Sequence, residues 1–403
     1  MKILQIVPSV SLVYGGPSQM VLSLSKAIAS QGVDVTLLTT NANGDTGQSP
    51  LDVPIGQPVT QDNYKIIYFS CSPFRRYKFS LGLLLWLTHH AQEFDLAHIH
   101  ALFSPVSTAA ATIARWQNLP YILRPLGTLD PADLRKKAFL KQVYGRVWEK
   151  PNLAGAAGVH FTSAEECRIS ERFGSTTKDL VIPLGVELPA NDPPSVRQEL
   201  GIAPNVPLIL FMSRIDQKKG LDLLIPALET LLNEGLAFHF VLAGTNTQNP
   251  DYEKGIQEKI ERSKLGERTT ITGFVWGDLK WGLLQDADLF VLPSDYENFG
   301  IAVAEAIAVG TPVVISDRVY IWEEIEKEKA GWVTPCEIPS LTTTLRLALQ
   351  NSEERKQRGL NGRKLALSKY SWQALAKPAA GIACQMIEIY RGILNDRLGK
   401  DFP

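Results

Sequence analysis

Short, nearly continuous apolar runs alternate with helix-length segments along the whole chain, and this alternation limits the fold more than any other feature. In the first half the runs fall at 3–7, 33–39, 65–69, 95–99, 121–123, 158–161 and 180–182. Helical stretches at 18–30, 79–90, 107–116 and 134–149 separate most of them. A strand that is apolar on both faces must be covered on both, and the intervening helices supply that cover, so a parallel sheet is expected. The stretch Pro189-Ala190-Asn191-Asp192-Pro193-Pro194 has linker composition, and the pattern restarts at 208–212, 238–243, 269–272, 289–292 and 313–316. The expected fold class is therefore α/β, with two doubly wound domains in series at 1–185 and 200–375, joined near 185–205. A length of 403 residues suits that count.

Composition removes several function classes. Lys and Arg number 41 against 42 Asp and Glu, a net charge of −1, so a surface built to bind nucleic acid is not expected. The four cysteines (Cys71, Cys167, Cys336 and Cys384) lie far apart without a CxxC pair, which fits a reducing compartment. The apolar run at the N-terminus is too short for a secretory leader, and the longest one, 81–87, is too short for a bilayer. A cytoplasmic chain, soluble or peripheral at the inner face of a membrane, is the expectation.

In open α/β sheets ligands lie beyond the carboxyl ends of the strands, and the unusual residues follow strands here. Tyr14-Gly15-Gly16-Pro17 opens a helix; its glycines allow close backbone approach, and the helix start presents N–H groups to an anion. A tight turn explains it equally well. Arg214 and Lys219, five residues apart on one loop, suit a diphosphate, though a solvated loop is the bland alternative. The third segment runs Pro293-Ser294-Asp295-Tyr296-Glu297-Asn298-Phe299-Gly300 into a small-residue helix carrying Glu305. An unpaired carboxylate amid apolar neighbours is costly. Glu305 therefore either serves a ligand's hydroxyls or pairs with a buried Arg or Lys.

Glu297 and Glu305 form a Glu-x7-Glu motif. Together with Arg214, Lys219-Gly220, Gly15-Gly16 and Thr272-Gly273-Phe274-Val275, they make the chain resemble the retaining glycosyltransferases of family 4. That family has the GT-B fold, two Rossmann-like domains facing across a cleft, and the resemblance covers essentially the whole chain. The ending fits as well: Tyr370-Ser371-Trp372 precedes a helical stretch, and in the family the C-terminal helix, here about 376–403, crosses back onto the first domain.

The resemblance implies that Arg214 and Lys219 hold the donor diphosphate, helped by the Gly15-Gly16 loop and by backbone at Phe299 and Gly300. Glu305 would accept from the ribose hydroxyls, Val275 would border the base, and Glu297 would contact the donor sugar. No cofactor and no metal is implied; a nucleotide-diphosphate sugar is the donor substrate. Asp286-Ala287-Asp288, at a helix-to-strand junction, is taken as structural. The chain departs from the family at Arg124-Pro125-Leu126-Gly127, where relatives carry a His. The nearest imidazoles are His98 and His100, which alternation places on one face of a strand. His100, at the strand end, is the better catalytic candidate and His98 the better packed one. Tyr14 and Arg124 are candidates on the acceptor side.

Residues 135–150 hold six basic side chains (Arg135, Lys136, Lys137, Lys141, Arg146 and Lys150) against Glu149. Phe139, Leu140, Val143, Tyr144, Val147 and Trp148 recur among them at helical spacing. A basic helix with an apolar face suits an anionic membrane surface, while the plainer reading buries that face in the domain core. The leading expectation is a retaining glycosyltransferase moving a sugar to a glycan or lipid-linked acceptor in polysaccharide or cell-envelope glycan assembly. A GT-B nucleotide-sugar epimerase, or a non-catalytic nucleotide-sugar-binding partner subunit, stands as the alternative. Product analysis without acceptor separates the first pair, and binding without turnover would mark the last.

Overall fold

Among the described residues, fourteen strands account for most of the apolar runs, and they sort into two sheets. The computed structural model describes residues 1–14, 16–44, 48–72, 77–135, 137–189, 193–247, 249–372 and 382–399. It divides into two compact units: Met1–Gly185 with Trp372–Pro403, and Val186–Ser371.

In the first unit the strands are β1 (Lys2–Ser9), β2 (Asp34–Thr40), β3 (Pro58–Gln61), β4 (Tyr64–Phe69), β5 (Leu96–His100), β6 (Tyr121–Arg124), β7 (Gly158–Phe161) and β8 (Asp179–Val181). They lie in the order β3-β4-β2-β1-β5-β6-β7-β8, parallel except for β3 against β4. The central strands β5, β6 and β7 are buried at every position, as near-continuous apolar runs require. The helix Pro105–Trp116 covers β1 and β5, and the C-terminal helix Ile382–Leu398 packs on the helix Gly16–Ala29.

The second unit holds β9 (Leu208–Met212), β10 (His239–Ala243), β11 (Thr269–Gly273), β12 (Leu289–Leu292), β13 (Val313–Ser316) and β14 (Gly331–Thr334). Their order is β11-β10-β9-β12-β13-β14, all parallel. Two strands depart from the expected set. Polar, exposed β3 is an antiparallel edge strand, and edge strand β14 is only half apolar, so neither reads as a buried run.

The helix expected at 134–149 is broken into pieces. Lys137 takes φ +55°, which no α-helix contains, so Pro131–Leu134 is separated from Ala138–Tyr144. A π-helical turn, Gly145–Glu149, then leads into Lys150–Gly155.

Candidate active site

The strand order of the second unit reverses direction between β9 and β12, the place where a doubly wound sheet leaves room for a ligand. The loops after these two strands carry Arg214 and Lys219 on one side and Glu297 on the other. They are pressed together: the Asp295 N–H donates to Lys218 O at 2.8 Å. Gly220 has φ +75°, and a Cβ there would fall 2.0 Å from Pro293 O, so only glycine fits between the loops. Across this junction the Lys219 ammonium pairs with Glu297 Oε2, both side chains being mostly buried. Glu297 is further fixed through its backbone, donating to Arg318 O and accepting from the Tyr320 N–H, each at 3.0 Å. Arg214 is exposed and pairs with no described carboxylate.

The Phe299 ring is buried edge-on against Tyr370 at 5.4 Å, which anchors the loop from below. Gly300 (φ +81°) starts the helix Ile301–Val309 without any side-chain cap, so the first-turn N–H groups are left to water or to an anion. Glu305 lies in this helix with 13% of its side chain exposed. Burial pushes its carboxyl above the usual range, and Lys280, whose Nζ donates to Oε1 at 2.6 Å, works against that shift. Val275 is buried directly after β11, while its neighbours Phe274 and Trp276 are exposed at 68% and 76%. The arrangement offers cations and uncapped N–H groups to an anion, and carboxylates to hydroxyls. Asp286 and Asp288 are used within the fold. Asp286 accepts from Ser195, Val196 and Arg197, and Asp288 pairs with Arg197 at 2.6 Å.

The remaining candidates belong to the first unit. Gly15 lies outside the described residues; Gly16 begins the helix Gly16–Ala29. Tyr14 is half-buried, with Lys78 Nζ 4.2 Å from its ring centroid. His100, the catalytic candidate at the end of its strand, and Arg124, the acceptor-side candidate, do not reach the surface. Both are fully buried, with exposures of 0% and 1%. His100 Nε2 meets Gln5 Oε1 at 2.7 Å, and its ring lies 4.3 Å from that of His98. His98 Nδ1 meets the Tyr390 hydroxyl at 2.9 Å, and His160 Nδ1 meets His98 Nε2 at 3.3 Å. The three imidazoles form a buried polar chain beneath the C-terminal helix, and burial together with nearby positive groups pushes each below its usual range. Arg124 is pushed down to about 10 by burial, and the Glu166 carboxylate opposes that shift. Where relatives carry the His, the backbone is unusual: Leu126 has φ +58°, and the Gly127 N–H donates to buried Glu166 at 3.0 Å.

A correction concerns residues 135–150, whose apolar face is not in the core. Phe139, Leu140, Val143, Val147 and Trp148 are all exposed, Phe139 at 83%. Inward-facing contacts come instead from Tyr144, whose hydroxyl lies 2.9 Å from Thr108 Oγ1, and from Glu149, which accepts from Thr108 Oγ1 and the Phe103 N–H. Lys136 lies outside the described residues. Lys280 was the residue that sequence reasoning missed. The unpaired look of Glu305 called for a cation, but nothing in the sequence named a partner 25 residues away.

The family profile of glycosyl transferases group 1 matches residues 193–365, and that of the glycosyl transferase 4-like domain matches 15–185. Alpha-D-kanosaminyltransferase of Streptomyces kanamyceticus is 32% identical over 307 residues, which is 75% of this chain and 70% of that protein. An uncharacterized glycosyltransferase of Methanocaldococcus jannaschii, MJ1607, is 33% identical over 46% of this chain, which spans about half (47%) of that relative's length. Among solved structures, Anabaena HepE in complex with UDP and glucose matches with a TM-score of 0.71 and 22% identity, covering 96% of this chain and 98% of that one. Sequence order, the two doubly wound units and these matches agree: the chain belongs to the group 1 glycosyltransferases, with the GT-B fold.

Proposed function

We propose that the chain is a retaining glycosyltransferase that moves a sugar from a nucleotide-diphosphate sugar to a glycan or lipid-linked acceptor in polysaccharide or cell-envelope glycan assembly. The observation that carries this reading is the junction of the loops after β9 and β12, where Lys219 meets Glu297 on loops that also carry exposed Arg214 and lead into the uncapped helix start at Gly300. The UDP and glucose in the HepE structure support a nucleotide-sugar donor. In the proposed reaction the bond from the anomeric carbon to the diphosphate oxygen breaks, and its electron pair stays on the diphosphate. The acceptor oxygen bonds to the same face of the sugar, and its proton passes to the departing phosphate oxygen. Arg214, Lys219 and the helix start at Gly300 meet the charge that develops on that phosphate, and Glu297 faces the donor sugar. We assign this charge neutralisation to the protein's own cations, so transfer is expected to survive chelation of divalent ions.

Incubating the full chain with a panel of nucleotide sugars and acceptors, with product anomers identified by NMR, tests the reading. Lys219→Ala and Glu305→Ala are each expected to lower turnover about 100-fold or more while the variants remain folded by circular dichroism. Full activity in both variants would overturn it. We further propose that the acceptor is lipid-borne and that the exposed face of residues 135–150 rests on an anionic bilayer at the cytoplasmic side.

A further inference from the structure

Lys280 enters none of the roles given so far, yet it touches the most costly carboxylate in the second unit. It sits on the helix Gly277–Asp286, which follows Val275 directly, and its Nζ lies 2.6 Å from Glu305 Oε1 and 4.7 Å from the Trp281 ring centroid. The pair is shielded but not sealed, since a quarter of the Lys280 side chain (25%) and 13% of Glu305 remain exposed. The other carboxylate oxygen, Oε2, has no hydrogen-bond partner among the described residues. A shielded acceptor oxygen without a donor is a site for a hydroxyl. The charged groups acting on Glu305 are Lys280 and, with the opposite effect, Glu187. From the helix Ser352–Leu365, packed on the other side, come Gly359 and Gly362, which carry no charge.

We infer that Lys280 is a positioning residue of the donor site: its ammonium occupies one oxygen of Glu305 and so orients and charges the carboxylate whose other oxygen accepts from the donor's ribose hydroxyls. The inference rests on the reading of Glu305 as the ribose acceptor. Without Lys280, burial would favour the protonated acid, which is the poorer acceptor, and the carboxyl group would lose its anchor.

Calorimetric titration of the full chain with UDP, GDP, ADP and CDP at pH 7 and pH 9 selects the nucleotide that binds, and the variants are compared on that nucleotide and its 2′-deoxy form. Lys280→Met is expected to weaken binding about tenfold at pH 7, the ordinary scale for a charge-assisted hydrogen bond. The loss should shrink at pH 9, since a higher pH favours the carboxylate form that Lys280 otherwise supports, and should be smaller for the 2′-deoxy nucleotide. Lys280→Arg should stay within about threefold of wild type, because it keeps the charge. A Lys280→Met loss that is the same at both pH values and for both nucleotides would reduce the pair to a structural bridge and overturn the inference, as would no loss at all. Should Lys280→Met fail to fold, Glu305→Gln and Glu305→Gln/Lys280→Met replace it. Equal affinities support the inference, and a further tenfold loss in the double variant overturns it. If wild type binds none of the four nucleotides, the functional reading fails together with this one, whereas binding that is indifferent to Lys280 sinks only the present inference.

Discussion

At the scale of single residues, the site is defined as much by absent atoms as by charges. Gly220 stands between Lys219 and a helix start, with Pro293 O where its side chain would be. Gly220→Ala combines a left-handed backbone with a clash against main chain and is expected to cost roughly 2–4 kcal/mol of stability. Chemical denaturation would check this, and a loss under 1 kcal/mol would mean that the loops part easily. Part of this scale was legible: Arg214, Lys219 and Glu297 stand out on loops that follow buried strands and Glu305 as a carboxylate in an apolar helix, and the structure brings Lys219 to Glu297. His100 and Arg124 lie deeper than their strand-end positions suggested, because alternation reveals which side chains share a face, but not whether a distant segment covers that face.

At the scale of elements, the covering segment is the helix Ile382–Leu398, whose Tyr390 bonds His98. Imidazoles held neutral in this way make stability depend on pH. The His160 value is pushed down to about 3 by burial first and by Arg124 second. The unfolded chain therefore takes up a proton near pH 6.5 that the folded chain refuses, and stability is lost as pH falls below that point. At pH 5 His160 alone costs about 2 kcal/mol relative to pH 7. Buried Glu149 and Glu166, raised by desolvation, act in the opposite sense. The measurement is therefore a difference: melting temperatures from pH 8 to pH 5 should fall more steeply for wild type than for His160→Gln. Parallel curves would refute the assignment. The segment 135–150 makes a separate prediction. Sedimentation with vesicles of phosphatidylcholine containing a third phosphatidylglycerol should pull down wild type at low salt. Phe139→Ser/Trp148→Ser should weaken this at least about tenfold, given about 1.5–3 kcal/mol per large apolar side chain fully buried. Equal partitioning would leave the exposed face without a membrane role. Composition suggested this face, yet only the break at Lys137 and the turn at Gly145–Glu149 leave it outside the core.

For the molecule as a whole, the alternation of strand and helix was enough to read two doubly wound units, since buried parallel strands leave the clearest trace in a sequence. Polar edge strands such as β3 leave none. Ion pairs such as Lys280 with Glu305 depend on which strands become neighbours, and strand order is written in no local stretch. No described helix is long and apolar enough to cross a membrane.

The chain belongs to one unit, leaves it at Gly185, and returns at Trp372. During synthesis the segment 186–371 is thus fully translated while its predecessor still lacks a component. His98 waits for Tyr390, nearly three hundred positions downstream (292), before its ring nitrogen finds a permanent partner. The later-made unit is in a position to mature first, and the earlier one closes only after the segment around Tyr390 has been made.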